Sequence, residues 1–148
     1  DFLEENGDLF EGSYVLTQFV PFEAEDPPPS MDTYLEWIDE VGGTVGELSL
    51  SGWIAADMFV TGLRAAGPEF SQQGVIDGLN QLTDYNAEGL IPPLDWTVEH
   101  TGDSGRACSA LSIIEDGAFV PQFGEPGAPF ICFDTEAAEL PEEPEVSA

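Results

Sequence analysis

Lysine is absent from this chain of 148 residues, and Arg64, Arg106 and His100 are its only basic side chains. Against them stand 30 acids, for a formal net charge of −28. That balance excludes electrostatic binding to nucleic acid, which needs a basic footprint. It also excludes docking on anionic lipid through a polybasic patch. Acidic excess keeps a chain soluble and strains its compact state by self-repulsion. It reads here as the acidic surface of a salt-adapted protein, because no D-x-D-x-D-G loop marks a dedicated cation site.

Cysteine is scarce too. Cys108 and Cys132 are the only two, no C-x-x-C occurs, and one histidine is too few for a usual zinc set. No phosphate loop or Gly-x-Gly-x-x-Gly turn is found, so neither metal nor cofactor is expected. The cysteines leave two readings: two buried thiols, or one disulfide closing a loop of about 25 residues, worth roughly 3–4 kcal/mol. Each lies in its own extended segment, which favours the bridge and with it an oxidising compartment. No apolar run is long enough to span a membrane. The sequence shows neither an initiator Met nor a signal peptide and opens mid-pattern at DFLEENG.

What is present is organised around Gly46–Gly67. At 100° per residue, Trp53, Ala55, Ala56, Phe59, Val60, Leu63 and Ala66 share one broad face, which Ile54 and Met58 extend. Only Asp57, Thr61 and Arg64 make a polar stripe, so this helix should be buried on more than one side. Gly67-Pro68 stops it.

Upstream, Asp1–Asn6 reads as a helix end closed by Gly7. Tyr14–Phe22 is nearly continuous apolar sequence, as in a strand covered on both faces within a parallel sheet. Pro21 ends it, and EAEDPPP (23–29) is a stiff linker. Ser30 is a candidate cap for a helix carrying Tyr34, Leu35, Ile38 and Val41, stopped by Gly42-Gly43. Downstream, Ser71 caps a helix through Val75, Ile76 and Leu79, with Phe70 as a staple partner of Val75. Gly74 and Gly78 weaken that helix and hint at close packing. After Asn86 the chain is expected to be extended, with Pro92 and Pro93 excluding a sheet centre. Glu115-Asp116-Gly117 between two apolar runs signals a hairpin. Pro129–Phe133 offers one more strand, and an acidic, disordered tail follows. The Tyr14 strand lacks sister strands and the central helix lacks neighbours. Both point to the C-terminal part of a larger α/β protein, or to completion by another chain, and this part is expected to fold poorly in isolation.

The order of these stretches resembles the C-terminal third of a type I periplasmic binding protein, of the branched-chain amino acid or amide group of ABC transporter substrate-binding proteins. GSYVLTQFVPF resembles the family's late strand, GWIAADMFVTGLRAAG its long helix and FSQQGVIDGLNQL the helix that follows. GLIPPLDWTVEHTGD resembles the segment near its last crossing, and CSALSIIEDGAFV its closing hairpin. The paired cysteines are similar to those of a subgroup common in actinobacteria.

The resemblance implies an α/β fold of two lobes, with parallel sheets flanked by helices and a closing β-hairpin. Residues 1–20 and 98–133 then belong to the second lobe and 26–93 to the first. Inter-lobe crossings lie at 21–25 and 94–97, and 134–148 is the tail. Pro21, Phe22, Leu94 and Asp95 become hinge residues. Leu48, Leu50 and Ser51 lie where the family brings a side chain toward the cleft, although Leu48 and Leu50 read more readily as core leucines. Trp53 is read as core and Trp96 as packing under the second crossing.

The implied function is solute binding for an ABC importer, without catalysis. The ligand is a small molecule, an amino acid or amide, and the partner is an ABC permease. The location is periplasmic or cell-surface, with a lipid anchor upstream. A sensor domain of the same fold is the alternative, and an enzyme with upstream catalytic residues is a more distant one. Gly102-Asp103-Ser104-Gly105 resembles the nucleophile motif of chymotrypsin-like proteases, but Arg106 stands where Gly-Pro should follow. His100 is also too close in sequence for a triad built from distant segments. Paired-acid hydrolase logic has no specificity among so many carboxylates.

Overall fold

The computed structural model describes residues 2–69, 71–101 and 106–134. The 102–105 motif, the Phe70 staple and the 135–148 tail lie outside them. Helix α1 (Phe2–Phe10) leads through a turn at Gly12 into strand β1 (Tyr14–Thr17). Three helices follow: α2 (Pro29–Glu40), α3 (Glu47–Ala66) and α4 (Gln72–Leu79). A 3-10 turn at Ala87–Gly89 and the short α5 (Trp96–Glu99) precede β2 (Arg106–Glu115), β3 (Ala118–Pro121) and β4 (Ile131–Asp134).

The class is α/β and the closing hairpin is present, but the pairing differs from expectation. All four described strands pair antiparallel, with β2 taking β1, β3 and β4 as neighbours. The apolar run from Tyr14 divides in two. Only Tyr14–Thr17 is strand, with Tyr14 and Leu16 exposed, whereas Phe19, Val20 and Pro21 leave the sheet and are buried among the helices. Continuous hydrophobicity therefore marks a strand and a core-crossing segment in series. Asp116 and Gly117 turn the β2–β3 hairpin with φ of 51° and 76°, the left-handed pair that Asp-Gly supplies. Cys108 faces Cys132 across β2 and β4 in a disulfide, which settles the cysteine alternatives.

The helix boundaries follow local chemistry. Gly7 does not close α1, which runs through it to Phe10. A Cβ on Gly7 would lie 3.1 Å from Gly117 Cα, so this glycine admits the hairpin turn against the helix. Ser30 is not a cap either: Pro28 takes that position and Pro29 opens α2, where a missing N–H is harmless. Gly42 (φ 65°) ends α2 and Gly67 (φ 78°) ends α3. The Ser71 hydroxyl caps α4 by accepting from Gly74 N at 3.0 Å. The stretch after Asn86 is less extended than expected, since it holds both the 3-10 turn and α5.

The helical core gathers Phe19, Val20, Met31 and Tyr34 with Leu50, Tyr85, Ala87 and Leu90. Helix α3 presents Trp53, Ile54 and Met58 to it. Its C-terminal half meets α4 through glycines: a Cβ on Gly62 would lie 2.8 Å from Leu79 Cγ, and one on Gly78 2.8 Å from Ala65 Cβ. The close packing suggested by Gly78 is thus observed. The expected enclosure of α3 is not, because Phe59 is 56% exposed and Val60 39%.

Candidate functional site

Main-chain hydrogen bonds tie the chain around residues 20 and 94 to the segment 82–90. Val20 N donates to Leu90 O at 2.9 Å, and Tyr85 and Leu94 exchange both main-chain bonds, at 3.0 and 2.8 Å. Trp96 N donates to Leu82 O at 2.7 Å, which ties the start of α5 to the end of the α4 region. Among the expected hinge residues, Pro21 is buried, while Phe22 and Leu94 pack half-buried against the core. Asp95 caps α5, accepting from Thr97 N at 3.0 Å. Trp96 is half-buried at the start of α5. His100 sits in the last turn of that segment, its Nδ1 against the Trp96 carbonyl.

The start of α3 separates its three candidates. Leu50 is fully buried in the helical core. Leu48 is 90% exposed and Ser51 is exposed. The turn between them is held by Tyr34, whose hydroxyl lies 2.7 Å from Ser49 Oγ. Ser49 in turn donates to Thr44 O at 2.7 Å. Glu47 occupies the first helical turn, which makes this helix start acidic.

A cavity of about 240 Å³ opens between the start of α2, the middle of α3 and the Ala87–Gly89 turn. Trp53, Ala56 and Val60 form its apolar wall, and Ser30, Thr33, Asp57 and Glu88 are its polar side chains. Its floor is built by unusual backbone, with Ala87 and Glu88 in the left-handed region at φ 49° and 56°. The Ser30 hydroxyl braces that turn by donating to Glu88 O at 3.0 Å. Behind Asp57, the Tyr85 hydroxyl donates to its Oδ2 at 3.0 Å and to Ile54 O at 3.1 Å. Burial first, then the hydrogen bond and charge of Asp57, push the Tyr85 phenol well above its ordinary range. In the sequence Asp57 is only one member of a polar stripe. The partners that give it meaning lie about 30 residues away on either side and carry no local signal.

The family model described as periplasmic binding protein matches residues 3–118. The chain belongs to the type I periplasmic binding protein family. No curated protein and no solved structure matches it significantly. For this binding protein, the family supports solute binding, a small-molecule ligand and an extracytoplasmic location, in a family that is generally non-enzymatic. The matched span contains residues 21–25 and 94–97 and the cavity, and it ends in the closing hairpin.

Proposed function

We propose that this periplasmic binding protein is the solute-binding component of an ABC importer, taking a branched-chain amino acid or amide by closure of two lobes. Residues 1–20 and 98–133 would form part of one lobe and 26–93 part of the other, with 21–25 and 94–97 crossing between them. A membrane permease then reads the closed form. The observation that carries this reading is the family match over residues 3–118, and Val20 N on Leu90 O at 2.9 Å adds that the chain entering 21–25 is tied to the chain leading into 94–97. Two adjacent segments joined by a main-chain hydrogen bond are suited to bending together as a hinge. Leu48 and Ser51, on the accessible side of the α3 start, are proposed to meet the ligand, and Pro21, Phe22, Leu94 and Asp95 to absorb the hinge motion.

A ligand that binds only the native state stabilises it by mass action, about 2.7 kcal/mol at one hundred times its dissociation constant. Thermal unfolding of the complete chain in high salt, against a panel of amino acids, amides and small carboxylates, tests the proposal. A raised midpoint with Leu, Ile, Val or an amide is the expected outcome. An unchanged midpoint across the panel refutes the assignment of cargo.

A further inference from the structure

The cavity between α2, α3 and the Ala87–Gly89 turn has a one-sided chemistry. The hydroxyl hydrogens on its wall are already committed: Ser30 donates to Glu88 O at 3.0 Å and Thr33 to Pro29 O at 3.1 Å. The Tyr85 hydroxyl behind it is spent on Asp57 Oδ2 and Ile54 O. Apart from the Trp53 indole N–H, the lining side chains therefore present lone pairs and negative charge. An entering anion would meet two carboxylates and no charge-assisted side-chain donor. An entering cation meets Asp57, Glu88 and the Trp53 ring, whose electron-rich face attracts ammonium by about 0.5–2 kcal/mol.

Among the described lining side chains none carries a positive charge. Arg64 lies two turns beyond Asp57 on α3 and is not among the residues that line the cavity. Tyr85 holds Asp57 through Oδ2 and so fixes the carboxylate while leaving Oδ1 to a ligand. With abundant acceptors, a cation that carries N–H groups is favoured over one that does not.

We infer that this cavity binds a small primary alkylammonium ion. Its N–H groups donate to Asp57 and to the Ser30 and Thr33 oxygens, and its alkyl chain lies along Trp53 and Val60. The inference stands on the cavity alone, whichever solute the two lobes enclose.

The test uses butylammonium on the complete, nitrogen-15-labelled chain, replacing sodium at constant high ionic strength so that diffuse attraction to the acidic surface cancels. The reporter is the Trp53 indole N–H resonance, identified by its loss in Trp53→Phe. A saturable shift is expected, with a midpoint of about 1–10 mM for so small a ligand. The neutral 1-butanol and the anionic butyrate should give no saturation in that range. Asp57→Asn should weaken binding about tenfold or more, as loss of a charged hydrogen bond requires. Glu88→Gln, a change at an exposed side chain, should weaken it several-fold and keeps the proposal testable if Asp57→Asn fails to fold. An equal response to 1-butanol would mean a merely apolar cavity and would overturn the inference. So would a stronger response to butyrate, a shift that never saturates, or unchanged midpoints in folded variants.

Discussion

Helix α3 contains two glycines in the same regular backbone, and they should respond oppositely to the same substitution. At Gly52 an added Cβ has nothing within 4 Å. Gly52→Ala should then gain only helix propensity, up to about 1 kcal/mol. At Gly62 the same methyl would lie 2.8 Å from Leu79 Cγ and 2.9 Å from Val75 Cγ1. Leu79 can swing away, but Val75 is buried and β-branched, with little rotamer freedom. Overpacking of this kind costs about 1–3 kcal/mol, which cancels or exceeds the propensity gain. The difference between the two variants isolates the α3–α4 contact at about 1–3 kcal/mol. For a domain of this size that is about 2–12 °C in midpoint. Thermal unfolding in high salt, followed by circular dichroism, reads it directly. Gly52→Ala is expected above the parent chain and Gly62→Ala at or below it. Two variants with the same midpoint would refute the close approach of these helices.

Further outcomes follow from the disulfide and from Tyr85. Replacing Cys108 and Cys132 together by Ser should cost about 3.5 kcal/mol in urea unfolding, the loop-entropy value for a separation of 24 residues. Thiol titration of the denatured, unreduced parent should find no free thiol. Tyr85→Phe removes a hydrogen bond to a carboxylate and should cost about 1.5–3 kcal/mol, read as a lower urea midpoint. The raised phenol pKa also makes stability depend on alkaline pH. The folded state holds the proton more tightly than the unfolded state, so the Tyr85 contribution is complete below the ordinary value of 10.0 and is lost as pH rises above it. The parent should therefore lose stability above that pH more steeply than Tyr85→Phe, and equal slopes would contradict the assigned environment.

Much of the fold was legible where one residue decides the local geometry. Gly67 after an apolar helix, Ser71 before one and Asp116-Gly117 between two strands each have a single favourable conformation, and each adopts it. Where two residues compete, the sequence misled. Ser30 is a good cap, but Pro28-Pro29 had already set the helix start, which freed its hydroxyl to brace the Glu88 turn. Hydrophobicity from Tyr14 to Phe22 showed burial without distinguishing a strand from a crossing segment. At the candidate site, Leu50 and Leu48 are alike in sequence and opposite in exposure, because a helix start turns by about 100° per residue. The cavity was not legible, since it joins three distant segments through a strained turn that no local pattern announces.

The central place of β2 also fixes the order in which the sheet can assemble. Its partner β3 is reached through a two-residue turn, and Cys132 of β4 lies 24 residues from Cys108. Tyr14 of β1, by contrast, must find Ile113 across nearly the whole described chain. Closing that longer loop costs about 1.3 kcal/mol more than closing the disulfide loop, by its logarithmic length dependence. The hairpin and the disulfide-linked strand can therefore form early and locally, while β1 joins last. Until it does, one edge of β2 stays open and its apolar sequence is available to a neighbouring chain. The acidic charge of −28 then serves folding as well as solubility, by keeping those half-assembled chains apart.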